Sequence, residues 1–397
     1  MDLDELTHRD ADWSSLRALV AGLGVTGFAA ADALLQHGAS VTVVDRGSGT
    51  EKQETQAGIL GILGADVRLG PEHVEGWPED LEVDVVVTSP GWPPSHPVLA
   101  AALERGIPVW SEVELAWRLQ PRVGAAPWLV VTGTNGKTTT VQLLETILRA
   151  AGLRAIATGN VGTPVLDAVQ HPDPYDVIAV ELSSFQLHYT DTMAAESAVV
   201  LNLAEDHLDW YDGPDGFADY TRDKGRIYQG VERACVYNLG DPATEALVRE
   251  ADVVEGARAV GFTLGVPGPG NLGVVDDILV DRAFIEERST SAAELCTLDD
   301  LASRAPHFVA NALAAAALAR AHGVSQAACR EGLRSFQPDG HRIAVVAEQD
   351  QITWVDDSKA TNPHAAASSL AAFAPVVWVA GGLAKGARFD DLVRSVG

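Results

Sequence analysis

Only five lysines occur in the chain: Lys52, Lys137, Lys224, Lys359 and Lys385. Arginine supplies nearly every other positive charge, and four of the five lysines fall in stretches whose residue types could handle phosphate. The sharpest is Gly133-Thr134-Asn135-Gly136-Lys137-Thr138-Thr139, which follows an apolar run and precedes a helical one. A glycine turn there offers backbone N–H groups to a phosphate. Lys137 can reach the β- and γ-phosphates, and the Thr138 hydroxyl can bind Mg²⁺. The stretch departs from the general GxxxxGK[ST] pattern, because Val131 stands where the first glycine belongs and a glycine comes at Gly133 instead. The alternative is a decorated strand–helix turn.

Further polar groups follow apolar runs that read as strands. Glu181 stands beside Ser183 and Ser184 in "VIAVELSSFQLH", where a strand-end carboxylate can hold magnesium and a serine can cap a helix. "NLAEDHLDWY" carries Asn202, Asp206, His207 and Asp209, with Lys224 17 residues past His207. Blandly, His207 is a surface histidine and Lys224 a solvated helix lysine. "WVDDSKATNPHA" holds Asp356, Asp357, Ser358, Lys359, Thr361 and Asn362, and "AGGLAKGARFD" holds Lys385. Each could be a polar surface turn; together they suggest a second anion pocket facing the phosphate loop.

A separate turn, Gly22-Leu23-Gly24-Val25-Thr26-Gly27, follows a strand at 17–22 and precedes an alanine-rich helix to about His37. The next strand ends at Asp45, 18 positions after the third glycine. Strand, GxGxxG turn, helix, strand and acid is the Rossmann-type arrangement, which aims N–H groups and a helix dipole at a diphosphate. NAD is the default ligand; a UDP-sugar would satisfy the same donors.

These turns need parallel sheets to position them, so the expected class is α/β. The length of 397 residues suggests two to four domains. Residues 1–122 form one Rossmann-like unit, "QPRVGAAP" (120–127) reads as a linker, and 123–337 form a central P-loop unit. "QPDGHR" reads as a hinge. "ITWVDDSKATN" and "PVVWVAGG" then begin a third α/β unit over 338–397, which is short for a domain and is expected to be incomplete. The net charge of -27 argues against nucleic acid or an anionic membrane as main partner. Cys235, Cys296 and Cys329 show no paired or metal-type spacing, which suits a reducing cytosol. The polar, acidic start predicts no signal peptide, and no uncharged apolar run reaches the ~18 residues of a membrane helix.

Taken together, these stretches resemble the Mur ligase family of ATP-dependent amino-acid ligases, whose relatives include folylpolyglutamate and cyanophycin synthetases. The shared mark is the GTNGKT-type loop, Val131 departure included. Within the family, "ELSSFQL" (181–187), "DDSKATN" (356–362) and the turn at 22–27 resemble the member that joins D-glutamate to UDP-N-acetylmuramoyl-L-alanine. The resemblance covers essentially the whole chain and implies why there are two turns. One holds the UDP-substrate and the other ATP, so the Rossmann-like unit binds a uridine nucleotide and not NAD.

By the same resemblance, ATP phosphorylates the substrate carboxylate and D-glutamate attacks the acyl phosphate. Gly133, Thr134, Asn135, Gly136, Lys137, Thr138 and Thr139 would grip ATP, with Asn311 at adenine and Arg342 and Asp357 at phosphates and ribose. Thr138 and Glu181 would hold a first Mg²⁺ and His207 a second. Lys224 matches a position that the family carbamylates with CO₂, which would make it an oxygen ligand for the metal. Gly24, Val25, Thr26, Asp45 and Arg46 would lie at the UDP moiety, and Asn160, Gly162 and Ser183 at the muramoyl part. Lys359, Thr361 and Lys385 would lie near the acyl phosphate and the incoming glutamate. A cytoplasmic monomer is implied. The family's C-terminal domain runs past the position of Gly397, with residues expected to seat D-glutamate beyond it. The competing expectations are a relative adding another amino acid, a nicotinamide-dependent oxidoreductase using Gly22 to Asp45, and a nucleotide-binding form without turnover.

Overall fold

The structure is a computed structural model. It describes all residues except 1, 212–214, 339, 341–343, 361, 371–372, 374, 383–388 and 397. The first sheet is built from β1 (Arg17–Ala21), α1 (Val25–Gln36), β2 (Ser40–Asp45), α2 (Glu51–Leu63), β3 (Asp66–Leu69), β4 (Val85–Thr88), α3 (Pro97–Glu104), β5 (Val109–Ser111) and the trailing α4 (Glu112–Arg118). Its strands are short, nearly unbroken apolar runs, as strands covered on both faces must be. They pair in parallel in the order β3-β2-β1-β4-β5. The winding reverses between β1 and β4, so the GxGxxG turn opens at the switch point, where such sheets bind ligands.

The second sheet follows. Its parallel part is β6 (Trp128–Thr132), α5 (Lys137–Ala150), β7 (Ala155–Gly159), α6 (Val165–Val169), β8 (Val177–Glu181), α7 (Ser184–His188), β9 (Ser197–Val200), α8 (Gly216–Gly225), β10 (Ala234–Asn238), α9 (Pro242–Glu250) and β11 (Arg258–Phe262). Then come β12 (Leu272–Val275), β13 (Ile278–Asp281), β14 (Ala293–Thr297), α10 (Pro306–His322) and α11 (Gln326–Ser335). The order is β14-β13-β12-β11-β10-β9-β6-β8-β7, parallel from β7 to β12 and antiparallel beyond. The phosphate-loop strand β6 lies between β8 and β9, so the residues following all three strands emerge side by side. Helix α10 is buried along "ANALAAAALA", an all-round apolar pattern that suits a helix enclosed by protein. Below the first sheet, the apolar cluster around Trp13, Leu34, Val113 and Leu115 runs unbroken into Trp128, Leu166 and Ile178 of the second.

Residues beyond 343 differ from expectation. An antiparallel hairpin of β15 (Ala344–Gln349) and β16 (Ile352–Asp356) precedes α12 (Pro363–Leu370) and α13 (Asp390–Val396). "PVVWVAGG" forms no strand among the described residues, and Val377 and Val379 are exposed there. Strand propensity alone does not make a strand. A ladder partner is required, and β16 is instead paired with β15, a strand not anticipated. The expected hinge at 337–342 lies half outside the described residues.

Candidate active site

The loop between β6 and α5 runs from Gly133 to Gly136. Gly136 has φ 87° and forms the N-cap of α5, and a Cβ on it would lie 2.4 Å from Asn311 Oδ1. Backbone conformation and the close approach of α10 both require glycine there. Lys137 curls back over the loop, its Nζ donating to the carbonyls of Gly133 (2.9 Å) and Thr134 (3.0 Å). The loop is pinned from the β9 side. Asn202 Oδ1 accepts from Asn135 N (2.9 Å), while Asn202 Nδ2 donates to Asn135 O (3.0 Å). Thr134 Oγ1 lies 2.8 Å from the hydroxyl of Tyr220. Thr138 and Thr139 lie in the first turn of α5, where its positive dipole end meets the loop.

Lys224 is 2% exposed, and its Nζ donates to the same Gly133 carbonyl (3.1 Å) that Lys137 holds. It also lies 4.7 Å from the centre of the Tyr220 ring. Burial, then the Lys137 charge, pull its pKa well below that of an ordinary lysine, against the opposing carboxylates of Asp206, Glu181 and Asp223. Glu181 closes β8 and is 1% exposed. Its Oε1 accepts from Asn160 Nδ2 (3.0 Å), and its Oε2 is buried without a hydrogen-bond partner among the described residues. An unsatisfied carboxylate oxygen beside a phosphate loop fits a divalent cation. No three His, Cys, Asp or Glu side chains converge among the described residues. Such an ion would therefore draw on Glu181, Thr138, water and phosphate oxygens, which is how Mg²⁺ is usually held. His207 has φ 55°, with its ring edge on Phe185 and its Nε2 3.7 Å from Asp206 Oδ2.

A cleft of about 520 Å³ adjoins the loop, lined by Asn135, Gly136, Asn311, His307, Asp357 and Lys359 among others. Burial lowers the His307 pKa and Asp357 opposes that. From the segment after β16, Asn362 Nδ2 donates to Asn135 Oδ1 (2.9 Å) and Asp206 Oδ2 (3.2 Å). That brings "DDSKATN" against the phosphate loop. Arg342, Thr361 and Lys385 lie outside the described residues.

The first turn stands apart from this cluster, at the other sheet. Gly24 is the N-cap of α1, and Val25 is 53% exposed beside it. A Cβ on Gly27 would lie 1.8 Å from the Gly22 carbonyl, so only glycine lets α1 start this close to β1. The Asp45 carboxylate is spent on the protein itself, accepting from Leu23 N, Gly47 N and Gln53 Nε2 at 2.7, 2.7 and 2.9 Å. In a dinucleotide site that acid takes the ribose hydroxyls; here both oxygens hold the turn. Arg46 is exposed next to it. Asn160 and Gly162 lie in the exposed loop after β7, with Asn160 tied to Glu181. Ser183 caps α7 in a reciprocal arrangement with Gln186.

Tyr220 was not singled out by sequence reasoning, and Asn202, Asp206 and Asn362 were noted in their stretches without an assigned role, yet each touches the loop or its partners. Tyr220 was legible, because it precedes Lys224 by four, one helical turn on the same face. Asn202 pairs with the loop across 67 residues, which no local pattern reveals.

Residues 131–319 match the family profile for the Mur ligase middle domain, and residues 16–111 that for the MurD-like N-terminal domain of Mur ligases. The chain is 59% identical to the UDP-N-acetylmuramoylalanine–D-glutamate ligase of Streptomyces avermitilis over 96% of this chain and 80% of that one. It is 49% identical to the Leifsonia xyli ligase of the same name, over 99% of this chain and 78% of that one. The murein peptide ligase of Psychrobacter arcticus shares the fold at TM-score 0.53 and 18% identity, covering 90% of this chain and 76% of that one. The chain belongs to the Mur ligase family.

Proposed function

We propose that this chain uses ATP to join D-glutamate to UDP-N-acetylmuramoyl-L-alanine, forming an amide and releasing ADP and phosphate, in cytoplasmic peptidoglycan precursor synthesis. The observation that carries this reading is the meeting of three stretches at one place. The phosphate loop, Glu181 at the end of β8, and the "DDSKATN" segment joined to the loop through Asn362 converge there. The identities of 49–59% to D-glutamate ligases over nearly the whole chain favour this amino acid over others.

In this reading the chain has three domains, 1–122, 123–337 and 338–397, acting as a monomer. Gly24, Val25, Thr26, Asp45 and Arg46 form the uridine diphosphate end, and Asn160, Gly162 and Ser183 lie along the muramoyl part. Gly133 to Thr139 hold the ATP phosphates, Asn311 meets adenine, and Arg342 and Asp357 meet phosphates and ribose. The alanine carboxylate attacks the γ-phosphorus, and the electron pair of the broken bond leaves with ADP. The D-glutamate amine, neutral after losing a proton, attacks the acyl carbon; its nitrogen gives up a second proton, and phosphate departs with the electron pair of the broken C–O bond. Lys137 donates to phosphate oxygens as negative charge spreads over them, work done by positioning and electrostatics. Mg²⁺, held by Thr138 and Glu181 with a second ion at His207, would neutralise phosphate charge. Lys359, Thr361 and Lys385 orient the acyl phosphate and the incoming amino acid.

Lys224 has its own part. Two lysines donating to one carbonyl repel each other unless one is neutral. A neutral buried amine is the form that adds to CO₂, losing one proton and becoming a carbamate. That negative group would face Lys137 and present oxygens to a metal. The reaction is tested by product: a mass increase of the UDP-substrate by one glutamyl residue, formed only with ATP and the D-isomer. Absence of that product from D-glutamate, with formation from another amino acid, would assign a different member of the family.

A further inference from the structure

Glu112 opens α4, the helix that trails the first sheet, and is 1% exposed. Its carboxylate leaves its own helix, and Oε1 accepts the N–H of Leu166, 3.3 Å away in the first turn of α6. Helix α6 has no side-chain cap of its own, because its N-cap residue is Pro164. A group from another element thus satisfies donors that the local sequence cannot. The N–H groups of Leu166 and Val165 and the Gln186 side chain of α7 favour the charged form. Burial, the largest influence, and Asp167 oppose it, and the pKa is pushed up to about 7. Among the described residues, Oε2 is buried without a hydrogen-bond partner. So costly a group in an apolar interface calls for a reason beyond packing.

The reason lies in what α6 and α7 flank. Loop 160–164 enters α6, and its first residue grips Glu181 twice. Asn160 N donates to the Glu181 carbonyl (2.8 Å) and Asn160 Nδ2 to Oε1 (3.0 Å). Helix α7 begins three residues after Glu181. Glu112 therefore bears on the far ends of both segments adjoining the candidate metal ligand. Glu114, on the same helix, fixes the turn beyond α7, accepting from Asp191 N (2.8 Å) and Thr192 N (2.9 Å).

We propose that Glu112 is a positioning residue: by capping α6 from the first sheet's helix it fixes loop 160–164, and through Asn160 it orients the Glu181 carboxylate for a divalent cation. This rests on the reading of Glu181 as a metal ligand. Groups that orient ligands in this way typically carry about 10- to 100-fold of metal affinity.

The test compares Glu112→Ala and Glu112→Gln with the wild-type chain in two readouts that need no turnover. The first is Mn²⁺ affinity in the presence of a non-hydrolysable ATP analogue. The second is amide hydrogen exchange. Glu112→Ala should weaken Mn²⁺ roughly tenfold or more and lower protection selectively over 159–169 and 181–188. Glu112→Gln keeps a carbonyl acceptor for Leu166 and should stay within about twofold of wild type. Unchanged Mn²⁺ affinity in a folded Glu112→Ala would overturn the proposal, as would weakening by the glutamine variant as large as that by alanine. If these shifts appear while the wild type releases no phosphate in a D-glutamate-dependent way, the proposed reaction fails and the role of Glu112 stands.

Discussion

At the scale of single residues, the site turns on two lysines sharing one carbonyl. Lys137 donates to Gly133 O from the start of α5, and Lys224 from the end of α8. In the proposed reaction, Lys137 is the group that meets charge developing on the transferred phosphoryl. Lys137→Ala should lower the rate of phosphate release by about 10² to 10³ with the fold intact, read by phosphate assay and melting temperature. Turnover near wild type would refute the loop assignment. Lys224→Ala should be inactive in the same assay and regain part of its rate when formate or acetate takes the place of a carbamate. Lys224→Arg, which cannot carry CO₂, should not be rescued. Glu112 gives a pH signature. Its folded pKa of about 7 lies above the unfolded value near 4.5, so the native state binds the proton more tightly. Its contribution to stability is therefore full below pH 4.5 and is lost as pH rises through 7. The stability of Glu112→Gln relative to wild type should climb between pH 5 and pH 8, by up to about 3 kcal/mol, measured by denaturant unfolding. No climb would mean that the carboxyl does not titrate in that range.

At the scale of elements, the strand–turn–helix units were the readable part. The Gly22–Gly27 turn and the Gly133–Thr139 loop announce themselves because local backbone needs, glycine and a helix start, coincide with ligand needs. Some elements with close partners were missed. Strands β12 and β13, and β15 and β16, are hairpins across the two-residue turns Asp276-Asp277 and Asp350-Gln351, which lack the glycine that usually announces such a turn. "PVVWVAGG" misled for the converse reason, since its apolar pattern finds no ladder among the described residues. The same contrast holds in the site. Lys137 and Glu181 were legible from their motifs. The Asn135–Asn202 clasp and the Asn362 bridge join stretches 67 and 227 residues apart. The α5 N-terminus offers an element-level prediction. Gly136→Ala must either leave φ 87° or drive Asn311 away, so it should weaken ATP binding about tenfold or more while α10 stays folded. Unaltered ATP affinity by calorimetry would show that the turn tolerates a side chain.

At the scale of the molecule, the two large sheets are fastened by more than apolar contact. Helix α4 carries a buried pair, Glu114 to Arg118 at 2.7 Å, in which Glu114 also accepts from Asp191 N, Thr192 N and Thr192 Oγ1. Glu114→Ala strands a buried guanidinium and frees the second sheet's turn at 191–192. A loss of about 3–5 kcal/mol is expected, with thermal unfolding resolved into two steps where a single step is expected of the wild type. A single transition at the wild-type temperature would argue that the apolar interface alone joins the sheets. In the proposed reaction, that fastening would let a substrate anchored at Gly22–Gly27 present its far end beside Glu181 and Lys137. The central claim is that the turn on one sheet and the loop on the other serve a single reaction. It is tested most directly by measuring phosphate release from ATP and Mg²⁺ with UDP-N-acetylmuramoyl-L-alanine, with and without D-glutamate. The prediction is steady release that requires D-glutamate and ignores L-glutamate and L-lysine. Release at the same rate with L-glutamate or L-lysine, or ATP turnover indifferent to the UDP-substrate, would contradict it.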